Sequence, residues 1–401
     1  PYPVKSCRPT QSTRLTFYLV LTSVSLWSFT PHTHAKTWTY AFPTDLSLEY
    51  NDNLDLTTTN EISAYRLRLA PGVLLKHETD QSHFDMNLSL RIDRYYETEG
   101  DYDRNDPRLS AKYDREFSRA KVGAAVKFMR TPTIDSQFQD TGQANVTDSQ
   151  DTVEVSAYGQ HDLNERNTLA IDGMFRNVSY DTDSLTDYRY GLINLSWGNQ
   201  RSAELSLRGF ATAAHMAPYD TSSQIAPDTD AFLLGIASEY AWSEQTQLDA
   251  WLGAYHAKQD GGDDTSGLQG LIAFTYQGET LKSTFSASRT QQPSGSGTLR
   301  IQNEFRVKLA KDLTERSSTG VDAYWRDSKD LFARSDLTGD TLVLNDDARE
   351  EIGFQPWYKW WWTENVALRM YYKLRRLQQD NESDWATSNV LFLGLEYRPK
   401  P

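Results

Sequence analysis

The chain has 401 residues, a formal net charge of −14, one cysteine and a mean hydropathy of −0.65. So acidic a chain repels nucleic acid, and a lone cysteine builds neither a disulfide framework nor a thiolate metal site. No run approaches 18 apolar residues, which excludes a helical inner-membrane protein but not a β-barrel, because only alternate residues of barrel strands touch lipid.

Residues 1–35 carry Lys5, Arg8 and Arg14, then an apolar run over 15–27, then small residues around His34 and Ala35. This pattern predicts a secretory signal peptide and not a membrane anchor, because the run is short and broken by Thr22, Ser23 and Ser25. Cys7 leaves with it. The signal holds three basic and no acidic groups, so removing it takes the formal charge from −14 to −17. The remaining residues, 36–401, are expected to form one domain.

Beyond the signal, apolar and polar residues alternate. In 83–96, Phe84, Met86, Leu88, Leu90 and Ile92 fall on one face, while Asp85, Asn87, Ser89, Arg91 and Asp93 fall on the other. Eighteen such segments follow one another: 42–51, 62–77, 83–96, 108–116, 120–129, 151–161, 168–181, 187–197, 203–215, 230–242, 247–258, 267–277, 280–290, 298–309, 317–327, 348–360, 365–376 and 387–397. They suit a bilayer, which about 9 to 11 tilted strand residues cross. The connections 78–82, 162–167, 198–202, 243–246 and 361–364 are short, whereas 97–107, 130–150, 216–229, 259–266 and 328–347 are longer and polar. The pattern predicts an all-β fold: a transmembrane antiparallel up-and-down β-barrel of about 18 strands in a Gram-negative outer membrane, with short periplasmic turns and long extracellular loops. Aromatic residues near the segment ends predict two interfacial belts. Trp197, Trp242, Tyr276, Tyr358, Trp360, Trp361, Trp362 and Tyr397 would stand on the short-turn side, and Tyr50, Tyr95, Tyr96, Phe128, Tyr180, Tyr188 and Trp325 on the other.

Turning the apolar faces to lipid leaves a lumen face. It comprises Arg300, Glu304, Arg306 and Lys308 in one segment and Arg369, Tyr371, Lys373 and Arg375 in another. Arg66, Arg68, Arg91, Glu154, Glu204, Arg208, Glu239, Asp322, Arg326, Arg349 and Glu351 join them elsewhere as candidate pore-lining residues. Both signs are present, which suits a hydrated polar solute better than a simple cation or anion filter. Eighteen strands enclose an aqueous channel. By analogy with diffusion porins, the 130–150 loop is a candidate for folding into the pore.

Catalytic chemistry is not legible. His77, His83, His161, His215 and His256 share no metal-ligand spacing, and neither a nucleophile elbow nor a phosphate-cradling glycine loop occurs. The one enzymatic alternative is a hydrolase at the rim, in which His215 or His256 meets Asp260, Asp263 or Asp264. The acidic stretches 97–106, 260–264 and 346–347 match no calcium loop and read as solvated charge. No cofactor, metal or catalytic residue is therefore expected.

The stretch 46–56, with Tyr50-Asn51-Asp52-Asn53 followed by Leu54 and Leu56, and then Tyr65 through Pro71-Gly72, resembles the putative β-barrel porin 2 family. The resemblance covers about thirty residues strongly and the rest by strand rhythm alone. It implies an outer-membrane channel for export of a surface exopolysaccharide, working with a periplasmic polysaccharide-export protein. A general or sugar-selective diffusion porin is the alternative. Expected partners are outer-membrane lipid, lipopolysaccharide, the polysaccharide itself and the barrel assembly machinery. Arg398 to Pro401 run past Tyr397, the aromatic on which such barrels usually end.

Overall fold

The computed structural model describes residues 37–98, 102–133, 148–182, 185–219, 227–262, 264–332, 334–338, 341–345, 348–379 and 384–399. The expected signal at 1–35 and most of the 130–150 loop lie outside these. Among the described residues no helix is long and apolar enough to cross a membrane; the crossing is made by strands.

The first stave of the wall is in two pieces, β1 (Thr37–Ala41) and β2 (Thr44–Asn51), both paired with β3 (Ala64–Glu78). The break falls at Pro43, which has no amide hydrogen to donate; its carbonyl instead accepts Gly72 N at 2.8 Å. The wall continues through β4 (Ser82–Tyr96), β5 (Arg104–Glu116), β6 (Ala120–Pro132), β7 (Ser149–Asn164), β8 (Asn167–Tyr180), β9 (Tyr188–Gln200) and β10 (Leu205–Pro218). Next come β11 (Thr229–Ser243), β12 (Thr246–Gln259), β13 (Asp264–Gln277), β14 (Leu281–Pro293), β15 (Leu299–Thr314) and β16 (Ser317–Asp330). A separate hairpin, β17 (Arg334–Thr338) with β18 (Thr341–Asn345), precedes β19 (Arg349–Trp361), β20 (Val366–Gln379) and β21 (Ala386–Tyr397). Consecutive wall strands pair antiparallel, and β21 returns to β2, closing a barrel of eighteen staves.

The alternation read from the sequence sets which face is which. Leu88, Leu90, Val126, Ile171, Ile193, Leu234, Ile236, Leu252, Phe305 and Leu393 are exposed on the outside, as a wall facing acyl chains requires. Turns on one rim are two to four residues long, for instance 165–166 and 201–204, and the opposite rim carries the longer loops.

Three features depart from the sequence expectation. Most wall strands run 13 to 16 residues, because pairing continues beyond the lipid-facing part toward the long loops. The 328–347 connection holds the β17/β18 hairpin. Tyr95, Tyr180 and Tyr188 are not belt residues: Tyr95 and Tyr188 line the lumen, and Tyr180 belongs to an apolar cluster within it. Trp197, Trp242, Trp360, Trp362 and Tyr397 do stand exposed on the short-turn side.

A clasp locks the closure. Asn51 Oδ1 accepts the Ser388 hydroxyl at 2.8 Å, and the Asp52 carboxylate accepts Asn389 N at 2.6 Å and Nδ2 at 2.7 Å. Asn53 Nδ2 donates to Thr387 O at 3.0 Å and to Thr57 O at 2.8 Å. Three consecutive side chains at the end of the first stave thus hold the start of the last one. Asp52→Ala is expected to cost about 2 kcal/mol, as two charge-assisted bonds are lost, and to lower the temperature at which the folded band disappears on unheated gels.

The barrel is not closed to its full height. β13 pairs with β12 over its length from Asp264 to Tyr276, but with β14 only from Gly270 to Gln277. Above Gly270 the ends of β14, β15 and β16 lean into the lumen. There Leu299, Ile301 and Phe332 pack with Val178, Tyr188, Met216, Ala231, Tyr255 and Ala257 from β8 to β12, and Gly295 O accepts Thr186 N at 2.8 Å. Arg300 and Asp330, 3.1 Å apart, are buried in the leaning tip.

Candidate functional site: the lumen

A cavity of about 570 Å³ runs along the inner face of β20 and of β2 to β8. A second, of about 510 Å³, continues it toward the short-turn rim, and the two share Arg68, Arg91, Arg108 and Tyr371. The leaning strand ends fill the β8–β12 side of the mouth, so the open space lies off-centre.

Inward register places the charges. Arg66 on β3 bonds Glu49 at 2.6 Å, and Glu49 also accepts the Tyr371 hydroxyl at 3.2 Å. Arg68 and, from the next strand, Arg91 both bond Asp93, at 2.6 and 3.0 Å; Asp93 has no exposed surface. Glu154 on β7 lies between Lys127 at 3.0 Å and Arg176 at 2.8 Å. Because strand neighbours stand about 4.8 Å apart, one carboxylate reaches the basic groups of two staves. Toward the short-turn rim Glu396 meets Lys359 at 2.7 Å, Arg398 at 3.5 Å and Arg369 at 3.8 Å.

The sequence-derived set divides. Arg66, Arg68, Arg91, Glu154, Tyr371, Lys373 and Arg375 border the larger cavity, and Arg369 the smaller one. Glu304, Arg306, Asp322, Arg326 and Glu351 form a second network on β15, β16 and β19, next to β20. In it Arg306 holds Asp322 at 2.6 Å, and Arg326 spans Glu304 at 2.9 Å and Glu351 at 3.1 Å. Lys308 is exposed on β15, Arg349 is buried, and Arg300 is enclosed with Asp330. Arg208 and Glu239 pair at 3.1 Å on β10 and β11. Glu204 stands in the turn before β10, where Ser202 donates to it at 2.7 Å and holds its carboxyl below the usual range. Arg108, Lys127 and Arg176 border the larger cavity too, and the sequence signal for them was the same period of two. They sit beside Leu109, Phe128 and Phe175, on the inward side of each strand.

Among the described residues, His215 and His256 bond groups other than Asp260 and Asp264. His215 bonds Asp230 at 2.8 Å and lies 3.7 Å from Asp228, while His256 bonds Ser266 at 2.9 Å. Both stand on the outward-facing register of their strands, in line with Ala213 and Ala254. Asp263 lies outside the described residues, and among those described no group of His, Cys, Asp and Glu could hold a metal ion.

At the loop rim, the Tyr102 hydroxyl donates to Asp55 at 3.2 Å beside Leu54, Ala64 and Tyr95. Burial raises the Asp55 carboxyl above the ordinary range, and burial with Asp55 nearby pushes the Tyr102 phenol up to about 12. The folded loop therefore binds a proton more readily than the unfolded one. Its packing is firmest below the unfolded carboxyl pKa of about 3.9 and loosens as pH rises through the elevated folded value. Amide exchange over 54–57, corrected for intrinsic rate, should be slower at pH 4 than at pH 7, and Asp55→Asn should remove the difference.

No protein-family model and no curated protein matches the chain. Among solved structures it is similar to OpdQ of Pseudomonas aeruginosa, with 8% identity and a TM-score of 0.50 over 90% of this chain and 97% of that one. OccAB4 of Acinetobacter baumannii gives 10% identity and a TM-score of 0.49 over 90% and 97%. The FrpB iron transporter from Neisseria meningitidis gives 9% and 0.49 over 84% of this chain and 62% of that one, so the chain spans about three fifths of FrpB. The likeness to OpdQ is one of fold. With its closed wall, lipid-facing apolar belt and rims of unequal loops, the protein is an outer-membrane β-barrel.

Proposed function

We propose that the protein is a channel that carries a hydrated saccharide chain across the outer membrane for export to the cell surface, without catalysis or cofactor. The observation that supports this reading is the wall of the two connected cavities, where Tyr95 and Tyr371 stand among charged and hydroxyl-bearing side chains. Such a surface stacks on sugar faces and exchanges hydrogen bonds with sugar hydroxyls while remaining wet. The likeness of the 46–72 stretch to barrels associated with polysaccharide export points the same way. In this reading residues 1–35 direct the chain to the periplasm, the assembly machinery inserts it, and a periplasmic export protein docks at the short-turn rim.

A second reading, a diffusion porin for small solutes, is favoured by the shared waist at Arg68, Arg91, Arg108 and Tyr371. Deletion of the gene separates the two. Export requires loss of a surface polysaccharide, restored by the gene on a plasmid. Intact polysaccharide, together with a steady large conductance of the purified barrel in planar bilayers, replaces export by diffusion.

A further inference from the structure

The chain as a whole is acidic, at −14, yet among the described residues the larger cavity is bordered by eight arginine and lysine side chains against only two carboxylates, Glu49 and Glu154. The pairing geometry produces this sign. Asp93, buried beneath the wall surface, serves both Arg68 and Arg91; Glu154 serves both Lys127 and Arg176. One acid fixes two bases in place, so the basic side chains are ordered by ion pairs while positive charge remains in excess. On β15, β16 and β19, the staves next to β20, Arg306 and Arg326 meet Glu304, Asp322 and Glu351, and no such excess arises; Glu351 also faces Lys373 and Arg375 at the edge of the arc. The leaning tip of β14 and β15 fills the remaining side of the mouth with apolar surface. A solute in the open space is thereby brought against the basic arc.

We propose that this arc is a binding track for a carboxylate-bearing saccharide chain, a polyuronate in the simplest case; the proposal rests on the channel reading and names its cargo. A cleft lined by one sign of charge between low-dielectric walls concentrates counter-charge. Guanidinium forks match carboxylates in geometry, and here they are spread over several staves in place of one focus. A small anion meets one or two of them; a polymer meets many at once. Many weak contacts hold a chain and still release it, as conduction demands. The interleaved Tyr95 and Tyr371 offer ring faces to the sugars between successive carboxylates.

The test uses the full barrel in detergent and in planar bilayers, with octagalacturonate, neutral maltoheptaose and inorganic phosphate as probes. Calorimetric binding of octagalacturonate at least tenfold tighter than phosphate, no binding of maltoheptaose, and anion selectivity in a salt gradient are expected. Arg108→Gln with Lys373→Gln should weaken octagalacturonate at least tenfold, and Lys373→Gln alone should weaken it by a smaller factor should the double variant fail to fold. Lys121→Gln, paired with Glu116 at the short-turn rim, should leave binding unchanged. Equal binding of neutral and acidic oligomers, cation selectivity, or phosphate matching the oligomer each overturns the track. Binding without any conductance keeps the track and removes the channel; conductance with no polyuronate binding does the reverse.

Discussion

Asp93→Ala is expected to destabilise the barrel by about 3 kcal/mol, at the lower end of the 3–5 kcal/mol for breaking a buried ion pair by removing one partner. Asp93 has no exposed surface and is bonded by Arg68 at 2.6 Å and by Arg91 at 3.0 Å. Its removal leaves two guanidiniums of adjacent staves facing each other without the carboxylate that both use. The loss stays at the lower end because the side chains of Arg68 and Arg91 keep 20% and 10% exposure to the lumen, where water relieves part of the repulsion. Urea unfolding of the barrel in lipid vesicles measures it. A change below about 1 kcal/mol would mean that the arginines hold their places by other means.

Leu88→Arg is expected to cost about 2–4 kcal/mol, because the side chain stands on the lipid side near the middle of β4 and an arginine there enters hydrocarbon. Leu88 is 46% exposed in the bare barrel and pairs across to Val73 and Leu109. Its neighbour Ser89 borders the smaller cavity, so Ser89→Arg projects into water and should change stability little. The same vesicle unfolding compares the two. Equal losses at both positions would contradict the assignment of faces.

The period of two made the wall legible. The eighteen segments correspond one to one with the eighteen staves, because lipid on one side and water on the other constrain every second residue. The same period picks out Arg66, Arg68, Arg91, Lys373 and Arg375, which border the larger cavity. What it did not convey was pairing. Glu304 and Glu154 read alike along the chain, yet Glu154 joins a basic arc and Glu304 a balanced network, because each meets different strands across the sheet. A mixed-charge lumen therefore became a sided one. The leaning of β14 and β15 was equally hidden, since Leu299 and Ile301 continue the alternation that in the lower strand marks lipid contact. Tyr95 and Tyr188 passed for belt aromatics because position along a strand fixes height but not side.

The ring is joined by residues about 340 to 350 positions apart in the sequence: Thr44 faces Tyr397 and Asn51 faces Val390. No partly assembled wall can hold water apart from lipid, and until β21 docks on β2 it carries two bare ribbon edges prone to mispairing. A sealed wall thus appears all at once, when the first and last staves meet. The same closure also makes the break between first and last staves movable in principle: joining residue 37 to residue 397 by a turn and cutting within 227–228 would shift it to another stave while keeping every rung of the ladder.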